Sequence, residues 1–320
     1  MSTTVLVIAC SDDPTADLVL DELHERDARV VRFDPGADFP AEIALSATFD
    51  SSGLAGSIET PTRHLDLSGV GAVYWRQPTP YRPAPGPDQS SAAWAADQAR
   101  FGLGGVLAAL PDAFYLNHPF RNRDAEYKPL QLTAAAASGL SVPRTLITNR
   151  PDRARGFAAQ PGGTVFKPLW STPYRTEDGK WRTIWAHPIG AEELDQSVSG
   201  AAHLFQRQVD KVADIRVTMV GSQVFPVRVN GAPALDWRLH YDSLTYEVVE
   251  APAAVVAGMR AYLDRLGLVF GAFDFCLTGD GTWVFLECNP NGQWAWFDDP
   301  VPSEIAGAIA DALTCGKGSS

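Results

Sequence analysis

The chain is poor in the features that mark several protein classes. It has four cysteines in 320 residues, Cys10, Cys276, Cys288 and Cys315, and none forms a CxxC pair. That excludes a disulfide scaffold and argues for a reducing compartment, with each thiol acting as a small buried hydrophobe. Basic charge is also short: 26 Lys and Arg face 38 Asp and Glu, a formal net charge of −12. A chain this acidic is repelled by a phosphate backbone, so nucleic acid is not an expected partner. No apolar run approaches the length of a membrane span, so no membrane association is expected. The opening MSTTVLVIACSDDP has no basic leader and runs straight into an apolar strand. A signal peptide is therefore not expected, and a cytoplasmic location is. Internal repeats and low-complexity segments are lacking too.

What remains is a globular composition, 45% hydrophobic and 20% charged, in a chain long enough for two or three lobes. Thr4–Ala9 is an uninterrupted apolar run, as expected of a strand covered on both faces. Ser11-Asp12-Asp13-Pro14 then reads as a helix start, and Arg29–Phe33 as a second strand. This β-α-β opening predicts a parallel α/β lobe. Further strands are expected at Glu42–Phe49 and Ala72–Arg76, a loop at Pro78–Pro87 and a helix over Ala92–Leu110.

A boundary is expected near Asn117-His118-Pro119, which gives lobes 1–117, 118–203 and 204–320. Past it the pattern predicts one helix over Asp124–Ser138 and strands at Arg144–Thr148 and Thr164–Pro168. Leu169–Gly190 reads as a long aromatic hairpin or lid. Leu204–Val209, Ile215–Val220 and Gln223–Val229 read as antiparallel strands. Helices over Pro252–Gly267 and Ser303–Thr314 bracket a hairpin of Val269–Leu277 and Thr282–Asn289, and Gly316–Ser320 is expected to fray.

That last hairpin carries the strongest signal. With the turn centred on Gly279-Asp280, Asp274 lies opposite Phe285 and Ala272 opposite Glu287. Alternation then puts Asp274, Glu287 and Asn289 on one face, with the two carboxylates diagonal, their Cβ atoms roughly 7 Å apart. Phe273, Phe275, Val284, Phe285 and Leu286 mark the hairpin as buried, where unpaired carboxylates are costly. A hard cation such as Mg²⁺ suits this set, because it needs few protein oxygens when phosphates and water supply the rest. The same register separates Cys276 from Cys288, so no disulfide is expected between them.

Lys167, flanked by Val165, Phe166 and Pro168, calls for an anionic partner such as a phosphate. Lys128 alone reads as a solvated helical lysine. The run LFQRQVDKVADIR (204–216) offers a strand edge that can read adenine, with Asp214 placed for a ribose. Arg216, Arg228 and Arg238 lie on or near the same sheet. In an acidic chain they suggest anion binding, against ordinary salt bridges.

In order and spacing, Lys128, Lys167, Asp214-Ile215-Arg216, Asp236-Trp237-Arg238, Asp274 and Glu287-x-Asn289 resemble the ATP-grasp superfamily over about residues 118–314. The lobe in front looks like its usual pre-ATP-grasp domain. Glu287-Cys288-Asn289-Pro290-Asn291-Gly292-Gln293-Trp294, with Tyr74-Trp75-Arg76 and Arg144–Asn149, is similar to the graspetide synthetases, relatives of the microviridin ligases. The resemblance implies an α/β protein with α+β lobes, an ATP-grasp fold behind a parallel α/β pre-ATP-grasp lobe. It implies ATP and Mg²⁺ as cofactors. Lys128, Lys167 and Arg238 would contact the phosphates, Gln206, Arg207, Gln208 and Val209 the adenine, and Asp214 the ribose. Asp274, Glu287 and Asn289 would hold Mg²⁺, and Arg216, Arg238 and Lys167 would serve the reaction. The chain departs from many ATP-grasp enzymes in having no glycine-rich loop after Lys167, and its hinge has no acidic residue.

The implied reaction activates Asp or Glu side chains of a ribosomally made precursor peptide and closes ester or amide rings with Ser, Thr or Lys. The core of that peptide would be rich in these residues, and its leader is expected near Trp170–His187, where aromatics and arginines cluster. A homodimer is compatible with this reading. Two alternatives stand beside it: a ligase for amino acids or small molecules, and an inactive ATP-dependent peptide-binding module.

Overall fold

The computed structural model describes residues 4–82, 88–170, 173–231, 235 and 244–315. Its first lobe opens with β1 (Thr4–Ile8), α1 (Pro14–Glu25), β2 (Arg29–Phe33) and a single turn of helix, α2 (Pro35–Asp38). A meander follows: β3 (Ala44–Asp50), β4 (Gly53–Glu59) and β5 (His64–Asp66). Then come β6 (Val70–Trp75), α3 (Gln89–Ala108) and β7 (Phe114–Leu116). The sheet has the order β2-β1-β6-β7, parallel throughout. Strand β1 shows why its sequence is continuously apolar. Val5 and Val7 pack with α1, while Leu6 and Ile8 pack on the opposite face with Leu103 and Leu107 of α3. Asp13 caps α1, accepting from the amides of Thr15 (3.0 Å) and Ala16 (3.2 Å).

The expected helix over Asp124–Ser138 is two helices, α4 (Pro119–Ala125) and α5 (Lys128–Ala137). Pro129 forces the division, since proline fits only a first helical turn. A small lobe follows: β8 (Thr145–Thr148), α6 (Pro151–Ala158), β9 (Thr164–Lys167), the hairpin β10 (Tyr174–Arg175) and β11 (Trp181–Arg182), β12 (His187–Pro188) and β13 (His203–Arg207). Strand β13 pairs with β8 and β9, so residues 203–207 complete the small lobe's antiparallel sheet, β12-β9-β13-β8.

The last lobe is a second antiparallel sheet, β16-β15-β14-β17-β18. Its elements are β14 (Lys211–Val220), β15 (Gln223–Asn230), β16 (Thr245–Val248), α7 (Ala253–Leu266), β17 (Phe270–Thr278), β18 (Trp283–Asn289) and α8 (Val301–Cys315). Helices α5 and α7 cover one face, burying Ala135, Met259 and Tyr262 against Phe273, Phe275 and Phe285. Helix α8 turns back to α1, and Trp294, fully buried, joins that core. No described helix is long and apolar enough to cross a membrane.

Candidate active site

The β17–β18 register differs from the sequence expectation. Thr278 and Thr282 bracket a three-residue loop, Gly279-Asp280-Gly281, with Gly281 at φ +85°, a value that favours glycine. That shifts every pair by one. A bulge at Leu286 shifts the following pairs by one more. The two shifts restore the facing but change the partners. Asp274 lies directly opposite Glu287, not diagonal to it, and Asn289 lies opposite Ala272. Phe285 pairs with Phe275, not with Asp274.

Strand β14 extends this row. Arg216 lies opposite Asp274, so Arg216, Asp274 and Glu287 stand side by side on three neighbouring strands. The Arg216 Nη1 donates to Asp274 Oδ1 at 2.9 Å in a pair only 6% and 7% exposed. From the other side Lys128, at the start of α5, places Nζ 2.6 Å from Glu287 Oε2. The order across the row is cation, carboxylate, carboxylate, cation. Like charges directly opposite each other destabilise a sheet, so this sequence has a motive beyond folding.

The row forms one wall of a cleft of about 1090 Å³ between the two antiparallel sheets. Lys167, at the end of β9, and residues 206–209 line the facing wall. Gln206 is buried, and its Nε2 donates to Thr145 Oγ1 at 3.0 Å. The Arg207 side chain is engaged within the small lobe. Its guanidinium lies over the Phe157 ring, 4.4 Å away, and bonds the carbonyls of Phe157, Gln160 and Gly163, which ties the small lobe together. Asp214 lines the cleft with Oδ2 held by Lys211 Nζ at 2.6 Å.

Lys211 was not singled out from the sequence. Three residues before Asp214 on a regular strand it would face away. A register shift between Lys211 and Ala213 brings it round and leaves Val212 59% exposed. Gln293 and Trp296 also line the cleft without having been assigned a role. Gln293 belongs to the GQW run, whose Gly292 is required by close approach, whereas Trp296 lies two residues beyond it. A Cβ there would meet Arg216 Nη2 at 2.6 Å, and that nitrogen donates to the Gln293 carbonyl at 3.1 Å.

The three-arginine cluster does not form among the described residues. Arg228 lies opposite Ile215, on the face away from Arg216, and its Nε donates to Asn230 Oδ1 at 2.8 Å. Asp236, Trp237 and Arg238 lie outside the described residues. All four cysteines are free, and Cys276 and Cys288 face opposite sides, as their register predicts. The Cys276 thiol lines the cleft but burial, and after it the Asp214 charge, pushes it up to about 12.

Trp170, Ile184 and Trp185 line the cleft at the base of the β10–β11 hairpin. On its paired strands Tyr174 and Trp181 are 45% and 70% exposed. The predicted turn at Glu177–Lys180 is present, closed by Thr176 and Lys180.

Residues 4–123 match the family model of the MvdD pre-ATP grasp domain. Macrocyclase MdnC of Microcystis aeruginosa MRC, solved with its precursor peptide MdnA, superposes with a TM-score of 0.85 at 27% identity, covering 97% of this chain and 99% of that one. Macrocyclase MdnB of the same organism gives 0.81 at 28% identity over 98% and 100%. The fold is that of the ATP-grasp macrocyclases. A RiPP-associated ATP-grasp ligase of Chryseobacterium gregarium, solved with ADP and leader and core peptides, gives 0.88 at 24% identity over 97% and 96%, a likeness of fold. No curated protein sequence matches the chain. The observed lobes agree with an ATP-grasp fold behind a parallel pre-ATP-grasp domain.

Among the described residues no three His, Cys, Asp or Glu surround a metal position. Asp274, Glu287 and Asn289 would offer a cation two carboxylates and an amide oxygen, and Asn289 Oδ1 also accepts from Asn291 N at 2.9 Å. Such a sparse all-oxygen set fits Mg²⁺, which keeps waters and phosphate oxygens as its other ligands. The paired carboxylates fit it too, because a cation between them relieves their repulsion.

Proposed function

We propose that the chain is an ATP-dependent ligase that activates side-chain carboxylates of a ribosomally made peptide and closes them with Ser, Thr or Lys side chains into ester or amide rings. The row Arg216, Asp274, Glu287 and Lys128, on the wall of a cleft in an ATP-grasp fold, carries this reading. Asp274, Glu287 and Asn289 would hold Mg²⁺, which when bound supplies positive charge to phosphate oxygens.

Lys128 and Lys167 bind the phosphate end of the nucleotide. The 206–209 backbone lies against its base, and Asp214, oriented by Lys211, against its ribose. Arg216, seated by Asp274 and the Gln293 carbonyl, turns its charge and remaining N–H donors to the peptide's Asp or Glu beside the phosphates. Chemistry needs little more from the protein. A carboxylate oxygen attacks the γ-phosphorus and ADP leaves. The hydroxyl or amine then attacks the acyl carbon, and phosphate departs with the carboxyl oxygen. The enzyme contributes proximity and fixed charge rather than a nucleophile of its own. The exposed Tyr174 and Trp181 on the hairpin strands suit an anchor for the leader, while Trp170 and Trp185 line the cleft.

Mass spectrometry of a candidate precursor incubated with ATP and Mg²⁺ tests the proposal. Each ring removes the mass of one water. Gain of an amino-acid mass would identify a ligase for small substrates, and an unchanged peptide bound with ATP would identify a binding module.

A further inference from the structure

The carboxyl ends of parallel strands in an open α/β sheet are where such sheets usually bind ligands. In the N-terminal lobe that edge holds a piece of the chain itself, residues 290–293. Arg76, just past β6, donates Nη1 to the Asn291 carbonyl, and Gln77 Nε2 donates to the same oxygen at 2.8 Å. Asn117, just past β7, donates to the Pro290 carbonyl at 3.0 Å and the Phe270 carbonyl at 2.9 Å. Its Oδ1 accepts from Val269 N at 2.7 Å and Phe270 N at 2.9 Å. Thr15, in the first turn of α1, donates its hydroxyl to Gln293 Oε1.

Arg76 is the least expected member. It is 2% exposed, beside Asp13 at 3%, with Nε 3.1 Å from Oδ2. An ion pair this buried is a poor source of stability, because desolvation offsets its attraction and a well-packed apolar pair would serve the core as well. What the guanidinium provides and an apolar side chain cannot is a directed donor on one carbonyl. That carbonyl lies two residues past Asn289 and two before Gln293, whose own carbonyl seats Arg216. Within the loop Pro290 is buried, but Asn289 and Gln293 are exposed and Asn291 and Gly292 carry no apolar side chain that would fix their backbone.

We infer that Arg76, held by Asp13, is a positioning residue that clamps the 289–293 loop from the N-terminal lobe and so sets the metal affinity of the Asp274, Glu287 and Asn289 site. The inference rests on the metal assignment made above. Its consequence is selective: metal binding depends on the clamp, while metal-free nucleotide binding, carried by the two antiparallel sheets, does not.

Two variants separate this from a merely structural role. Arg76→Lys keeps the charge beside Asp13 but gives up the fork. Gln77→Asn shortens the second arm without touching the buried pair, and asparagine tolerates the φ of +31° at that position. The probe is Mn²⁺, measured by electron paramagnetic resonance on full-length protein saturated with ADP. ADP binding is measured separately by calorimetry in EDTA. Arg76→Lys is expected to weaken Mn²⁺ binding about tenfold, the effect typical of lost support around a metal site, with a smaller loss for Gln77→Asn. ADP affinity in EDTA should stay within about twofold, less than 0.5 kcal/mol. Unchanged Mn²⁺ affinity in the folded variants, or an equal loss of ADP binding in EDTA, overturns the clamp. Should Arg76→Lys fail to fold, Gln77→Asn decides alone. A wild-type protein with no ADP-dependent Mn²⁺ site, or one whose site survives Glu287→Gln, overturns the metal assignment instead.

Discussion

The two carboxylates of the row should respond differently to loss of charge. Asp274→Asn leaves the Arg216 guanidinium facing a neutral amide in a place where both side chains are under a tenth exposed. Breaking a buried pair from one side costs about 3–5 kcal/mol. Asparagine still offers an acceptor to Nη1, which favours the lower end, about 3 kcal/mol. In a protein of this size that lowers the melting temperature by at least about 6 °C at roughly 2 °C per kcal/mol. Glu287 and Lys128 are each about one-fifth exposed, so water relieves part of the loss in Glu287→Gln. About 1.5 kcal/mol is expected there, the low end for a hydrogen bond to a charged group. Both variants should lose turnover. Both should also lose the stability that Mg²⁺ adds to that given by ADP alone, up to about 2.7 kcal/mol for a ligand at a hundred times its dissociation constant. Calorimetric melting of the three proteins, with and without Mg²⁺ and ADP, reads all of this at once. Equal melting of Asp274→Asn and wild type without ligand would refute the buried pair. Full stabilisation of Glu287→Gln by Mg²⁺ with ADP would refute its place in the metal site.

Arg216→Lys keeps charge but loses the fork, so turnover should fall at least about tenfold with ATP affinity little changed; a proportional loss of ATP binding would place Arg216 at the nucleotide. Replacing the hairpin tip between Arg175 and Arg182 by a short turn should weaken precursor binding in fluorescence anisotropy and spare nucleotide binding, whereas loss of ATP with peptide binding intact would make the hairpin a lid only. Thiol alkylation at pH 8 should label the exposed Cys315 and spare Cys276, whose thiol sits near 12; rapid labelling of Cys276 in folded protein would contradict its burial. The same shift sets a sign for pH. The unfolded thiol ionises near 8.5 and the folded one does not, so stability is lost as pH rises above about 8.5, with no effect of this group at neutral pH.

Much of the architecture was legible because burial on both faces and alternation leave direct marks. Strand β1, the β14–β15 pair and the β17–β18 hairpin lie within a few residues of their sequence expectation. The facing of Asp274, Glu287 and Asn289 was legible for the same reason. Their register was not, because the odd loop and the Leu286 bulge each shift pairing by one and leave no compositional signal. Lys211 was hidden by another bulge. Strands β4 and β5 leave little mark, because Ser-Gly-Leu-Ala-Gly-Ser has low strand propensity and His64–Asp66 is only three residues long; the pairing of β4 with β3 and of β5 with β4 is decided by packing on the N-terminal core. Lys128, which read as solvated when taken alone, is paired with a carboxylate 159 residues away. Such long-range partners are set by the fold, and sequence reasoning reached this one only through resemblance.

In the proposed reaction the peptide's own carboxylate takes a phosphoryl group and then loses its oxygen to phosphate. A precursor whose Asp and Glu side chains are enriched in heavy oxygen tests it directly, with ATP in ordinary water. One heavy oxygen is expected in the released phosphate for every ring closed, with ADP formed in equal amount. Phosphate carrying no heavy oxygen while rings form would contradict it.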